Sequence, residues 1–271
     1  GLNSSLPTMG HCAGLAQHGR QINLRPRGQT EMPIAFPRSW NEPDIEQYRD
    51  TVVRFIEEHM EPADAKARQD GNVGHELWRK AGAAGLLCTD IPEEWGGMGG
   101  DFRHEAVFYE EAARRSLTGL SNSVHSIVAH YLLNHGTEAQ KRKYLPRMAS
   151  GELVGAIAMT EPGAGSDLQG IRTRAVRDGD DYLINGSKTF ISNGFLAGLV
   201  LVVVKTDPNQ GARGTSIVIV ETKDCAGFRV GRVLDKIGMQ AQDTSELFFD
   251  DVRVPADNLL GGVEGQGFFQ L

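Results

Sequence analysis

The sequence is poor in cysteine, in long apolar runs and in excess positive charge, and each shortage removes a class of protein. Cys12, Cys88 and Cys225 are the three cysteines of 271 residues, too widely spaced for a disulfide framework or a C-x-x-C zinc pair, and a reducing compartment fits them best. No apolar run approaches the roughly 18 residues that a membrane-spanning helix needs. Lys and Arg number 28 against 35 Asp and Glu, giving a formal charge of -7, so a broad nucleic-acid-binding surface is not expected. A local basic patch for a phosphorylated ligand stays open. His125 and His130 stand five apart, off the i,i+4 spacing of a helical metal site, and read as surface or packing histidines. Two nucleotide motifs also fail. Gly163-Ala164-Gly165 meets Leu168 where the dinucleotide fingerprint needs glycine, and in Gly186-Ser187-Lys188-Thr189 the lysine does not follow the glycine directly.

The pattern that is present divides the chain. Residues 1 to about 31 carry Arg20, Arg25 and Arg27, no acidic residue before Glu31 and no sustained periodicity, which reads as a disordered or non-family leader extending to residue 39. An organellar transit peptide is the other reading of that composition. The absence of an amphipathic helix there favours a bacterial cytoplasmic location over a mitochondrial matrix. Over 40–152 the texture is helical: Ile45, Tyr48, Val52, Phe55 and Ile56 recur at helical steps until Glu61-Pro62, where an end is expected. Further helices are expected near 75–84 and 103–115, then one with the stripe Val124, Ile127, Val128, Tyr131 and Leu132 stopping near Gly136. Thr137 and Gln140 form a capping-box pattern that opens another. Over 153–260 β-branched and aromatic runs take over, with Asp178-Gly179 and Asn185-Gly186 as turn signals flanking Tyr182-Leu183-Ile184. The fold class expected is α+β, a helical domain followed by a β-barrel domain, with 261–271 beginning a further helix.

Between these halves, Thr160-Glu161-Pro162-Gly163-Ala164-Gly165-Ser166-Asp167 places glycines, a proline and hydroxyl or carboxylate groups after a strand-like run. Glycines let backbone amides approach an anion, although a surface turn would have the same composition. Together with Phe190-Ile191-Ser192-Asn193-Gly194, Asp250-Asp251-Val252-Arg253-Val254-Pro255, Ile91-Pro92-Glu93-Glu94-Trp95-Gly96-Gly97 and Asn134-His135-Gly136, the loop resembles, in order and spacing, the motifs of the acyl-CoA dehydrogenase family. The resemblance runs from about residue 40 to the end.

That resemblance implies a helical domain, a middle β-barrel holding FAD, and a C-terminal helical bundle of which this chain would carry only the start. It implies that Ile157, Ala158, Met159, Thr160, Gly165 and Ser166 line the isoalloxazine, with Ser166 also near the acyl-CoA. Phe190 would stack on the flavin where many relatives have Trp, and Ile191 and Ser192 would lie near its reactive edge. Ala212 and Arg213 would contact CoA, and Phe269 would line the acyl pocket. The residues alone admit plainer readings: Phe190 as barrel core, Ser192-Asn193-Gly194 as a turn, Arg213 as a solvated loop residue, Phe269 as the first core residue of a helix. The implied reaction is α,β-dehydrogenation of an acyl-CoA thioester, with electrons passing to an electron-transferring flavoprotein and the full-length chain a homotetramer. The family's catalytic glutamate is expected beyond Leu271, so no residue here is assigned as catalytic and the chain is read as an inactive fragment. An acyl-CoA oxidase and a non-catalytic FAD- or acyl-CoA-binding scaffold are the alternatives. Gln242-Asp243-Thr244-Ser245-Glu246-Leu247 and Phe190 look closest to long-chain members.

Overall fold

Ile45, Tyr48, Val52 and Phe55 share the buried side of α1 (Pro43–Phe55) in the computed structural model of the protein, which describes residues 42–271. The leader read over 1–39, and Cys12, lie outside the described residues. Glu61-Pro62 does not end the helix as expected. A π-helical turn (Ile56–Met60) carries the chain into α2 (Glu61–Asp70), and Pro62 falls in the first turn of that helix, where its fixed φ is compatible with helix. Then come α3 (Gly74–Ala83), α4 (Phe102–Arg114), α5 (Asn122–His135) and α6 (Glu138–Ala149). The Thr137 capping box forms as expected: Gln140 N donates to Thr137 Oγ1 at 3.2 Å, and Thr137 N donates to Gln140 Oε1 at 3.0 Å. Helices α1, α3 and α4 bury Val52, Trp78 and Phe108 in one shared core.

The expected barrel is a curled, mixed sheet of seven strands: β1 (Gly155–Ala158), β2 (Arg174–Asp178), β3 (Asp181–Ser192), β4 (Leu199–Lys205), β5 (Thr215–Glu221), β6 (Phe228–Val233) and β7 (Thr244–Pro255). Strand β4 pairs with β5 antiparallel along its whole length. On its other edge it pairs in parallel with β1 from Leu199 to Val202 and meets β2 at Lys205. So β1 and β2 occupy successive stretches of one edge, and residues 159–173 make an excursion between them. Every residue of β4 is buried because its two faces serve two cores. Leu199, Leu201 and Val203 pack with Val128, Leu132 and Met148 of the helices, while Val200, Val202 and Val204 face Ile184, Leu247 and Phe249 inside the curl.

Asp178-Gly179 makes the expected hairpin, with Asp178 opposite Asp181 and Gly179 at φ 63. Asn185-Gly186 does not turn the chain. It continues β3 opposite a bulge in β7: between the pairs Ile184–Val252 and Gly186–Phe249, Asn185 alone faces both Asp250 and Asp251. Asn185 spends its side chain across the sheet, donating to Asp251 Oδ1 at 2.9 Å and accepting from Asp251 N at 3.0 Å. Glycine is required beside it, since a Cβ on Gly186 would lie 2.4 Å from Thr173 Oγ1.

One buried imidazole joins the helical half to the sheet. His125 Nδ1 accepts from Gly155 N at 3.0 Å and Nε2 sits 3.1 Å from Met148 O, an arrangement that requires the neutral ring with its proton on Nε2. Burial pushes its pKa down from 6.5 to about 4. The unfolded chain therefore binds the extra proton first, so this contribution is fully present above pH 6.5 and is lost as pH falls toward 4. We expect denaturation midpoints to report a loss on the order of 3 kcal/mol across that window, and His125→Gln to flatten that part of the profile. An unchanged profile in the variant would refute the assignment.

Candidate functional site

The excursion between β1 and β2 is closed by backbone and by a buried ion pair. Glu161 N donates to Ala164 O at 2.9 Å and Ala164 N returns the bond at 3.1 Å, making a tight turn around Pro162-Gly163. The Glu161 carboxylate points inward, accepting from Arg172 N at 2.7 Å, Thr173 N at 3.0 Å and Lys188 Nζ at 2.9 Å. Lys188, 1% exposed, also donates to Met159 O at 3.0 Å. Both ends of the excursion are thus tied to the middle of β3. Desolvation pulls the Lys188 pKa down to about 8 against the opposing pull of Glu161. Desolvation raises the Glu161 carboxyl, but Lys188 and the two backbone donors outweigh it and hold the group below the usual carboxylate range. Gly165, Ser166 and Asp167 are left exposed.

A bulge in β3 itself brings the expected flavin-side residues together. The register against β7 slips between Lys188 and Ile191. Thr189 N donates to Thr160 O at 2.9 Å and Asn193 Nδ2 donates to Gly155 O at 3.2 Å, so 155–160 runs antiparallel beside 189–193. Ile157, Ala158, Met159 and Thr160 therefore neighbour Phe190, Ile191 and Ser192. Phe190 is no core residue: it is 65% exposed and held at φ 59. That left-handed conformation costs an aromatic residue roughly 1–3 kcal/mol, sustained here by the bonds on either side. Thr160 and Ser192 are half-buried, whereas the side chains of Ala158 and Ile191 are buried and leave only backbone to meet a ligand. Asn193 is buried at φ 62 and also donates to Ser121 O at 3.2 Å, so it forms a turn that bonds to the helical half as well. Beyond it, the Asp243 carboxylate accepts from Phe195 N at 2.6 Å and Leu196 N at 3.2 Å. Burial pushes that carboxyl up to about 6 against these bonds.

Ala212, Arg213 and Phe269 form a second group. Ala212 is half-buried and Arg213 exposed in the 3-10 segment Pro208–Gly214, which Lys205 fixes by donating to Gly211 O at 2.5 Å and Thr215 Oγ1 at 3.0 Å. Gly265 lies so close that a Cβ on it would stand 2.5 Å from Arg213 O, and Gly267 packs on Ser216 at the start of α7 (Gly267–Gln270). Phe269 projects from this short helix at 84% exposure rather than entering a core. Asp167, at the end of the excursion, acts through its charge on Lys205 and so faces this group. Beside it a cavity of about 430 Å³ is lined by Arg172, Arg174, Lys205 and Thr206.

Sequence reasoning missed three features. Lys188 belonged to a rejected phosphate-loop pattern, although a lysine within a strand otherwise rich in buried side chains signals an internal partner. Asp243 stands in the sequence only within the string Gln242–Leu247. The third is a cavity of about 580 Å³ between α4, α5 and α7, lined in part by Phe102, Glu105, Ile127, Tyr131 and Leu271. The α5 stripe read as a single face divides: Val128 and Leu132 enter the core while Ile127 and Tyr131 line this cavity.

Two domain families match the chain: acyl-CoA dehydrogenase, N-terminal domain, over residues 42–152, and acyl-CoA dehydrogenase, middle domain, over residues 156–252. The chain is similar to the mitochondrial long-chain specific acyl-CoA dehydrogenase of Sus scrofa, with 45% identity over 269 residues, 98% of this chain and 61% of that protein. Among solved structures it is similar to an acyl-CoA dehydrogenase from Geobacillus kaustophilus, with TM-score 0.82 and 43% identity over 86% of this chain and 62% of that one. It is also similar to an acyl-CoA dehydrogenase complexed with FAD from Bacillus anthracis, with TM-score 0.79 and 33% identity over 87% of this chain and 40% of that one. The chain thus spans about three-fifths of the length of the Sus scrofa relative.

Removing one partner of the buried pair tests the excursion directly. Lys188→Met should cost roughly 3–5 kcal/mol in denaturant titrations by stranding Glu161, and adding Glu161→Gln to it should recover part of the loss. If the double variant were as unstable as the sum of the two single variants, the two groups would not be coupled.

Proposed function

We propose that this chain, which belongs to the acyl-CoA dehydrogenase family, holds FAD against the paired segments 157–160 and 190–192 and presents an acyl-CoA thioester to it for α,β-dehydrogenation to the trans-2-enoyl thioester. The observation that carries this reading is the bulge that turns Phe190 outward beside Thr160. An exposed aromatic face held in a costly conformation, next to two half-buried hydroxyls, fits a flat heterocycle with a polar edge. When bound, FAD would supply the acceptor for the hydride leaving the β-carbon of the acyl group.

The chain's own residues have separable tasks. Phe190 offers a stacking face, Thr160 and Ser192 offer hydroxyl groups to the ring's polar edge, and Gly165 and Ser166 leave the end of the excursion open for ligand approach. Arg213 and the basic cavity at Arg172, Arg174 and Lys205 suit the phosphates of CoA, consistent with the contacts proposed for Ser166 and Ala212. The cavity between α4, α5 and α7, whose wall includes Gln270 next to Phe269, offers room for the alkyl chain. Glu161 is not offered as the base that removes the α-proton, because Lys188 and two backbone donors hold it as an inward-facing carboxylate. The whole protein would pass its electrons to an electron-transferring flavoprotein and assemble as a homotetramer. A long-chain substrate is proposed from the likeness to the Sus scrofa enzyme and from the Gln242–Leu247 string. A reducing location, bacterial cytoplasm before mitochondrial matrix, fits the free thiols of Cys88 and Cys225. Among the described residues no helix is long and apolar enough to cross a membrane.

Flavin binding by the 271-residue chain, followed by visible absorbance and fluorescence quenching, tests the reading. FAD should bind, and Phe190→Gly should weaken it about tenfold by removing the stacking face. The same variant should leave folding stability unchanged or raise it by up to about 1 kcal/mol, because glycine relieves the left-handed strain. A chain that binds no FAD, or a glycine variant that binds it equally well, would defeat the proposal.

A further inference from the structure

Asp243, 2% exposed, immediately precedes β7 and grips the segment that follows β3 from two sides. Its main-chain carbonyl accepts from Asn193 N at 3.2 Å, and its Oδ2 accepts from Phe195 N at 2.6 Å and Leu196 N at 3.2 Å. Gly194 N, between them, donates instead to Ile191 O at 3.1 Å and closes the turn. The first residues of β7 continue the hold, Thr244 pairing with Ser192 and Ser245 with Ile191. Phe190 and Asn193, both at left-handed φ, thus lie in a stretch whose far end is fastened by one carboxylate. Bonds to a charged oxygen are roughly twice as strong as bonds to a neutral one. A proton on the carboxyl leaves Oδ2 either a neutral carbonyl or a hydroxyl whose hydrogen meets the amide hydrogens. The charged group acting on Asp243 is Lys236, in the loop between β6 and β7, which donates to Gln242 O and to Thr244 Oγ1 at 3.2 Å. The segment after β3 presents only amides to it, and at the start of α5 Ser121, whose hydroxyl takes Gln242 Nε2, is uncharged. Burial pushes the carboxyl up to about 6, so it is ionised at neutral pH and takes a proton under mild acidity.

We propose that Asp243 is a positioning residue for the flavin: its ionised carboxylate holds the segment 193–196 and thereby aims the Phe190 face and the Ser192 hydroxyl, and protonation loosens that hold. The inference rests on the reading that 190–192 faces FAD. Asp243 is buried behind the segment and acts through the backbone it holds. A ligand that needs the segment in place favours the ionised form, so FAD draws the proton off Asp243 and acid drives FAD off. For folding the sign is opposite. A carboxyl raised in the folded chain from 3.8 to about 6 makes the charged form the costly one, so its contribution to stability grows as pH falls through that window, while flavin affinity falls. That opposition separates positioning from bracing, because a group that only braced the fold would move stability and affinity in the same direction.

FAD titrations of the 271-residue chain at about pH 7.5 and about pH 5, followed by fluorescence quenching, give the first readout. Amide-exchange protection factors of Phe195 and Leu196 in the flavin-free chain give the second. Wild-type affinity should fall about fivefold between the two conditions, and protection at both amides should fall with it. Asp243→Asn, neutral in both, should bind FAD about tenfold more weakly than wild type at the higher pH, keep that affinity at the lower, and unfold at no lower denaturant concentration. Lys236→Met is the second variant should the first not fold: without the cation the carboxyl keeps its proton to higher pH, so the fall in affinity should shift upward. The same pH dependence in wild type and the Asn variant, an unshifted fall in the Met variant, or protection factors indifferent to pH would overturn the inference while leaving FAD binding intact. An Asn variant that loses stability along with affinity would make Asp243 a brace for the fold and overturn it too. If wild type binds no FAD at either pH, the reading of 190–192 as the flavin face falls and takes this inference with it.

Discussion

The Glu161–Lys188 pair is the constraint on which the site geometry depends. Taking two charges out of water is expensive, and their attraction repays it only when the remaining lone pairs and protons are also used. Here they are: Glu161 accepts from Arg172 N and Thr173 N, and Lys188 donates a second bond to Met159 O. These bonds gather the exit of β1, the entry to β2 and the middle of β3. An apolar pair of similar volume could fill the same space, but it would impose no direction on the backbone. The charges specify where the chain leaves the sheet and where it returns, and thereby where Thr160 to Asp167 stands.

With the excursion fixed, the bulge in β3 acquires its purpose. A regular strand alternates its side chains between two faces, so Lys188 and Phe190 would point the same way. The slip between Lys188 and Ile191 breaks that rule, leaving Lys188 fully inside and Phe190 outside. The cost is two non-glycine residues, Phe190 and Asn193, with left-handed backbone. Their neighbours sustain it: Thr189 N is bonded to Thr160 O, and Asn193 reaches both Gly155 O and Ser121 O. Asp243 secures the two residues after that turn through their amides. Strain concentrated between such anchors is stored locally, which is why a single aromatic can be held open to solvent at the edge of a packed sheet.

What could be read from the sequence was governed by how local each rule is. Helical periodicity, the Thr137 capping box and the Asp178-Gly179 hairpin are decided within a few residues, and they appear as expected. Pro62 and Asn185-Gly186 misled because their local signals are ambiguous. Proline suits a first helical turn as well as a helix end, and Asn-Gly suits a continuing strand opposite a bulge when the asparagine finds a partner, Asp251, 66 residues away. The site divides in the same way. The strings at 157–166 and 190–192 were visible, but their adjacency depends on Thr189 reaching Thr160 across a fold that no spacing rule encodes. Lys188 looked like a failed motif because its meaning lies in Glu161, 27 residues earlier. Glu105 is a carboxylate on a helix, and sequence alone gives it a solvated face.

Helix α5 shows why the helical half is more than a support for the sheet. His125 bonds Gly155 at the start of β1, and Val128 and Leu132 pack under β4, so this face sets the height of the strand that leads into the excursion. Ser126, Ile127, His130 and Tyr131 on the same helix line the cavity shared with Asp90, Glu105 and Tyr109. A helix of 14 residues has two faces, and here both are committed, one to placing the loop at Thr160 and the other to shaping a chamber with a polar wall. The two tasks constrain each other. A shift of α5 that enlarged the chamber would also move the imidazole that holds Gly155, so chamber size and loop position cannot be adjusted independently. Change in the chamber is therefore easiest through side chains that leave the helix axis in place, and Asp90, Glu105 and His130 are side chains of that kind.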